Sequence, residues 1–413
     1  MPSVVKEIYQ TYTLSNGLRL VHRYTSSQVA HCAITINVGS RDERVQENGM
    51  AHFIEHCIFK GTKTKSNRRI LSLVDATGGE LNAFTTKEET CIYATFMVPY
   101  YERVLDLFSD IVFNSVFPEI EIEKEKSVII DEINSYQDSP SEQIFDDFEL
   151  LLYGCTGLGR YILGSEDRVQ CFTSAQVKDF IAQNYATDKM VLSTIGNIDF
   201  EKWVRLCEKF FSSFAKNETK NHRTQTKKYS VQTKVYHKDT NQAHLAIGNR
   251  AYSYKNDKRV PFTLLNNILG GGAMNSRLNM HIREKYGLTY ALESSYTAYS
   301  DTGVFMVYAS MDFEQTQKTI KLIINELASF ADKLLTPLAL KQAKEQFIGQ
   351  MAIQYENNQN EVISMGKSLL NYGKIDTLAQ MNREINSLSS LQLQEVANEV
   401  FNNKQYSQIT YLS

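Results

Sequence analysis

The chain is written twice, and that duplication constrains its fold more than any single motif does. The segment Val21-His-Arg-Tyr-Thr-Ser-Ser-Gln-Val-Ala-His-Cys-Ala-Ile34 resembles Val235-Tyr-His-Lys-Asp-Thr-Asn-Gln-Ala-His-Leu-Ala-Ile247 in residue order and alternation. Both read as strand, turn, strand. Downstream, residues 104–118 and 319–337 carry apolar side chains at helical spacing, end in Pro118 and Pro337, and pass at once into a second helical run. Each half closes with an amphipathic stretch, 172–185 or 388–401, whose second and third residues are Ser or Thr, leading into a strand at 190–195 or 407–412. Residues 216–228 between the halves hold no apolar side chain and cannot join a core. Two homologous domains are therefore expected, 1–217 and 229–413, joined by a linker at 218–228. Strands and helices come in blocks, so each domain is expected to be α+β, a mostly antiparallel or mixed sheet backed by helices.

Composition narrows what such a pair of domains can do. With 44 basic against 47 acidic side chains the chain lacks the basic excess of a nucleic-acid or anionic-membrane binder. No apolar run approaches the roughly 20 residues that cross a bilayer, and residues 1–11 have neither the cationic head nor the apolar segment of a signal peptide. The six cysteines form no CxxC pair, which argues for reduced thiols over a disulfide framework or a thiolate metal site. The expectation is a soluble, cytoplasmic protein with neither nucleic acid nor membrane as partner.

The most informative residues are His52-Phe-Ile-Glu55-His56. On a helix, residues four apart lie about 40° apart around the axis, so His52 and His56 can direct their imidazoles at one ion. Glu55 sits about 60° to the other side of His52, within reach of a water on that ion without being a ligand. Catalytic zinc takes three protein ligands and leaves a position open, so a third ligand is required. The candidates lie in the acidic helical run 121–135, where Glu125 and Glu132 are two turns apart on one face. Acidic helices are ordinarily solvated faces. Here the duplication argues otherwise: counted from the matched prolines, Glu132 corresponds to Met351, and the His52–His56 stretch aligns with residues 262–266, so the second half lacks the whole constellation together.

HxxEH followed after 76 residues by a Glu resembles the inverted zinc motif of the pitrilysin and mitochondrial-processing-peptidase superfamily. The resemblance implies Zn2+ held by His52, His56 and Glu132, with Glu55 as general base and Glu125 orienting the ligands. It further implies that Asn82, Ala83 and Phe84 form an active-site strand whose edge pairs with an extended substrate. Arg283 and Tyr290, seven residues apart in the second half, match the family's substrate-contacting pair. The activity implied is zinc-dependent endopeptidase cleavage of peptides or unfolded segments. Long members close four such domains around a chamber, and short members pair two chains to make the same clamshell. Because this chain carries both the zinc set and the Arg/Tyr pair, a homodimer with two composite sites is expected. The alternatives are the catalytic subunit of a heterodimeric processing protease and, against the intact constellation, a non-catalytic core-type subunit.

Overall fold

The computed structural model describes residues 8–217, 223, 229–401 and 406–413. Apart from Arg223, the expected linker at 218–228 lies outside them. Among the described residues the strands form two sheets, one in each of two compact units.

The first unit is built on β1 (Gln10–Thr13), β2 (Arg19–Tyr24), β3 (Val29–Ile36), β4 (Glu80–Thr85), β5 (Thr90–Met97) and β6 (Met190–Gly196). Their order is β1-β2-β6-β3-β5-β4, with β2 and β6 parallel and every other pair antiparallel. Neighbours along β2 and β3, such as Leu20 and Val21 or Ala33 and Ile34, point to opposite faces, and all four are buried. On one face Leu20 and Ile34 pack with Phe53 and Ile54 of the helix Met50–Cys57, Phe108 of Tyr101–Phe113 and Trp203 of Phe200–Phe211. On the other, Val21, Ala33, Val191 and Ile195 meet Val362, Met365 and Leu369 of the helix Asn358–Tyr372. That helix is seated by Ser193 Oγ donating to the Val362 carbonyl at 2.7 Å and by ion pairs Arg23–Glu361 at 2.8 Å and Lys367–Glu89 at 2.6 Å.

The second unit is built on β7 (Thr233–His237), β8 (Ala243–Ala251), β9 (Thr289–Ala298), β10 (Gly303–Met311) and β11 (Ser407–Leu412), in the order β7-β11-β8-β10-β9. Only β7 and β11 run parallel. One sheet face packs Leu245, Ile247, Phe305 and Val307 against Phe262, Ile323 and Phe401. The opposite face packs Ala246, Met306, Tyr308 and Tyr411 against Ile144, Phe148, Leu151 and Leu152 of the helix Pro140–Tyr153.

Both units are α+β with mixed sheets, as the pattern implies. The contiguous limits 1–217 and 229–413 need correction. The first unit comprises the chain up to Ile133, Tyr161–Arg223 and Gln354–Thr377, and the second comprises Asn134–Arg160, the chain after Arg223 up to Ile353, and Leu378 onward. Each half of the sequence lends one helix to the other half's sheet. An apolar stripe records that a helix is buried, not which sheet buries it, so the exchange leaves no trace in periodicity. Cys32, Cys57, Cys91 and Cys207 are buried, Cys155 and Cys171 exposed, and all six thiols are free. Among the described residues no helix is long and apolar enough to cross a membrane.

Candidate metal centre

The helix Met50–Cys57 starts at Gly49, whose φ of +97° turns the chain in a conformation that favours glycine. Met50, Phe53, Ile54 and Cys57 form its buried stripe, spaced three, one and three residues apart. Docking that stripe into the core directs His52 and His56 to an adjacent face. The longer helix Glu119–Gln137 buries Ile122, Glu125, Ile129 and Ile133, so Glu125 is a carboxylate set within an apolar stripe. Glu132 lies beside that stripe, its side chain 44% exposed.

These two helices bring His52, His56 and Glu132 together, with one ligand atom from each lying within 4.8 Å of the others. His52 Nε2 is 3.8 Å from Glu132 Oε1, and His56 Nε2 is 3.4 Å from Glu132 Oε2. Ligands tetrahedrally arranged at about 2.0–2.1 Å around zinc are separated by about 3.4 Å, so little movement closes the set. His56 Nδ1–H donates to Glu125 Oε1 at 3.0 Å, which fixes the ring with Nε2 facing Glu132. Glu125 is held in turn by Lys60 Nζ at 2.5 Å. His52 Nδ1 and Glu55 Oε2 are buried without a hydrogen-bond partner among the described residues. Two imidazole nitrogens, a carboxylate and an unpartnered buried carboxylate oxygen beside them are a donor set that fits zinc with a water.

The electrostatics agree with that reading. Burial, and His56 beside it, push His52 down to about 4, keeping it a neutral ligand. Burial alone would also lower His56, yet its hydrogen bonds to Glu125 and Glu132 hold it up at about 9. The His56 hydrogen bond holds Glu132 below the usual carboxylate range. Burial pushes the Glu55 carboxyl above its ordinary value despite a hydrogen bond with Thr85.

Asn82, Ala83 and Phe84 lie on β4, which pairs with β5 and ends its sheet, leaving one backbone edge open among the described residues. Asn82 is exposed, and its Oδ1 accepts from the Ala83 amide at 2.8 Å. Arg283 and Tyr290 belong to the second unit. Arg283 sits in a wide helical turn, Asn279–Glu284, and Tyr290 is the second residue of β9, 56% exposed, its phenol donating to Asp312 Oδ1 at 2.9 Å. Lys60 and Thr85 are partners that motif spacing does not single out. Lys60 had a signal, since it follows His56 by four residues, and Thr85 directly follows the Asn82–Phe84 stretch and ends the same strand.

Comparison with known proteins identifies the family. A family model described as Insulinase (Peptidase family M16) matches residues 19–166, and one described as Peptidase M16 inactive domain matches residues 172–347. The latter falls on the half in which the HxxEH counterpart is absent. The uncharacterized zinc protease YmxG of Bacillus subtilis is 34% identical over 394 residues, 94% of this chain and 95% of that protein. An uncharacterized zinc protease of Rickettsia felis is 33% identical over 96% of both chains. A protease from Helicobacter pylori of known crystal structure superposes with a TM-score of 0.90 over 98% of this chain and 99% of its own, at 24% identity, a likeness of fold. With two family models together spanning most of the sequence and full-length relatives above 30% identity, the chain belongs to peptidase family M16, the pitrilysin family.

Proposed function

We propose that the chain is a zinc-dependent endopeptidase acting on peptides or unfolded segments. The observation that carries this is the convergence of His52, His56 and Glu132 within 4.8 Å, with the unpartnered buried oxygen of Glu55 on the same short helix. His52, His56 and Glu132 hold the ion. Bound zinc supplies a Lewis acid that lowers the pKa of water from 15.7 towards about 7. Glu55 takes the proton of the attacking water and passes it to the leaving amine, and its burial-raised pKa suits both transfers. The substrate adds to the open edge of β4 at Asn82–Phe84 through backbone hydrogen bonds, which give affinity with little side-chain preference. Tyr290 donates to the tetrahedral oxyanion, and Arg283 holds a substrate carbonyl.

In the same reading two copies pair into a clamshell, each zinc set working with the partner subunit's Arg283 and the partner subunit's Tyr290. That both sets occur on one chain supports a homodimer over a heterodimer. Six free thiols, four of them buried, support a reducing, cytoplasmic setting. Metal analysis and sedimentation of the purified chain test the proposal. One zinc per chain, lost in His52→Ala, and an active dimer are expected. A chain without zinc at neutral pH contradicts the chemistry, and an inactive monomer that needs a second, homologous protein contradicts the homodimer.

A further inference from the structure

The helix that carries His52, Glu55 and His56 has only eight residues, starts at a glycine and has no side-chain cap from its N-cap residue. Isolated helices of that length are marginal in water, and its first amides would be orphans. They are not, because Glu43, six residues before the helix's own N-cap, supplies a carboxylate that is 5% exposed. Its Oε1 accepts from the Ala51 amide at 2.9 Å, and its Oε2 accepts from the Gly49 amide at 3.0 Å and from Asn48 Nδ2 at 3.3 Å. The negative charge also complements the positive end of the helix dipole. Asn48 Nδ2 reaches the Tyr161 carbonyl as well, at 2.9 Å.

The other end of this device is the candidate substrate strand. The Ser40 amide donates to the Thr86 carbonyl at 3.1 Å, and the Arg41 amide to the Lys87 carbonyl at 2.7 Å, immediately beyond the end of β4 at Thr85. A Cβ at Gly39 would lie 2.3 Å from the Thr86 oxygen, so the two backbones meet where only glycine fits. One short segment, residues 39–43, thus fastens its backbone to the end of β4 and its last side chain to the start of the His52 helix.

We infer that Glu43 is a positioning residue that sets the His52/Glu55/His56 helix against the β4 edge. It touches neither substrate nor metal and acts through the placement of the helix. The inference rests on the zinc-peptidase reading above, and its test separates the two. Zinc affinity of the metal-free, full-length chain is measured by competition with a chromophoric chelator, and ligand geometry by the visible absorption of the cobalt(II)-substituted protein. Tight zinc binding by the wild type that His52→Ala abolishes satisfies the underlying reading; a wild type that binds no zinc defeats that reading by itself. Given that binding, Glu43→Gln puts an amide NH2 against at least one N–H donor and is expected to weaken zinc about tenfold and shift the cobalt bands. Glu43→Ala is expected to weaken zinc by about 10- to 100-fold, the range for groups that support metal ligands indirectly. In peptide hydrolysis kcat should fall while KM changes less than about twofold, because the β4 edge stays intact. Glu43→Gln keeps the size of the side chain and decides the matter if Glu43→Ala does not fold. Wild-type zinc affinity together with unshifted cobalt bands in Glu43→Gln overturns the inference.

Discussion

His56 is the residue on which the candidate centre turns, because both of its nitrogens are committed. Nδ1 faces Glu125 and Nε2 faces Glu132, and the two carboxylates hold the ring cationic below about pH 9 in the metal-free chain. A metal at Nε2 must displace that proton. A raised pKa means that the free site binds the proton more tightly, so zinc affinity should rise as pH increases from 7 to 9, with about one proton released per zinc at pH 7. Calorimetry in buffers of different ionisation enthalpy reads that number; zero proton release contradicts the arrangement. Glu125→Gln removes the charge that orients His56 and should cost about 10- to 100-fold in zinc affinity, read by chelator competition. At this scale the sequence was legible where spacing alone defines chemistry. His52, Glu55 and His56 follow from helix geometry, whereas the choice of Glu132 over Glu125 needed the family resemblance. Glu43 was not legible, because its partners are backbone amides at a helix start that no side-chain pattern encodes, and the contact of Thr85 with Glu55 joins a strand end to a separate helix.

The elements show where pattern reading stops. Strands β2, β3 and β6 are buried on both faces along most of their length, a double covering that the alternation of residues 21–34 did not announce. The source of the second layer was hidden, since the helices Pro140–Tyr153 and Asn358–Tyr372 look like ordinary amphipathic helices in sequence. Gly366 records the close seat of the latter: a Cβ there would lie 2.7 Å from Thr35 Oγ1 and 3.3 Å from Ser193 Oγ. Gly366→Ala should therefore destabilise the protein by about 1–3 kcal/mol through overpacking, outweighing the roughly 1 kcal/mol that alanine gains in a helix. Denaturant unfolding measures this, and a stabilised variant would show that the helix can move off the sheet.

At the scale of the whole molecule the duplication is not a division into independent halves. A fragment ending at residue 217 keeps β1 to β6 but loses the helix that covers Val21, Ala33, Val191 and Ile195. It should fail to fold cooperatively alone and should gain structure when the remaining residues are supplied in trans, as circular dichroism and hydrogen exchange would report. A fragment 1–217 that melts cooperatively by itself contradicts this. His52, Glu55, His56 and Glu132 all lie in the first unit, so the proposed metal centre and its proposed base belong to one of the two related units. Cleavage of an unfolded polypeptide by zinc-loaded Glu55→Gln tests that assignment most directly. A full complement of zinc is expected, with kcat reduced by about 100- to 10,000-fold; zinc-loaded Glu55→Gln cleaving at the wild-type rate would contradict the assignment.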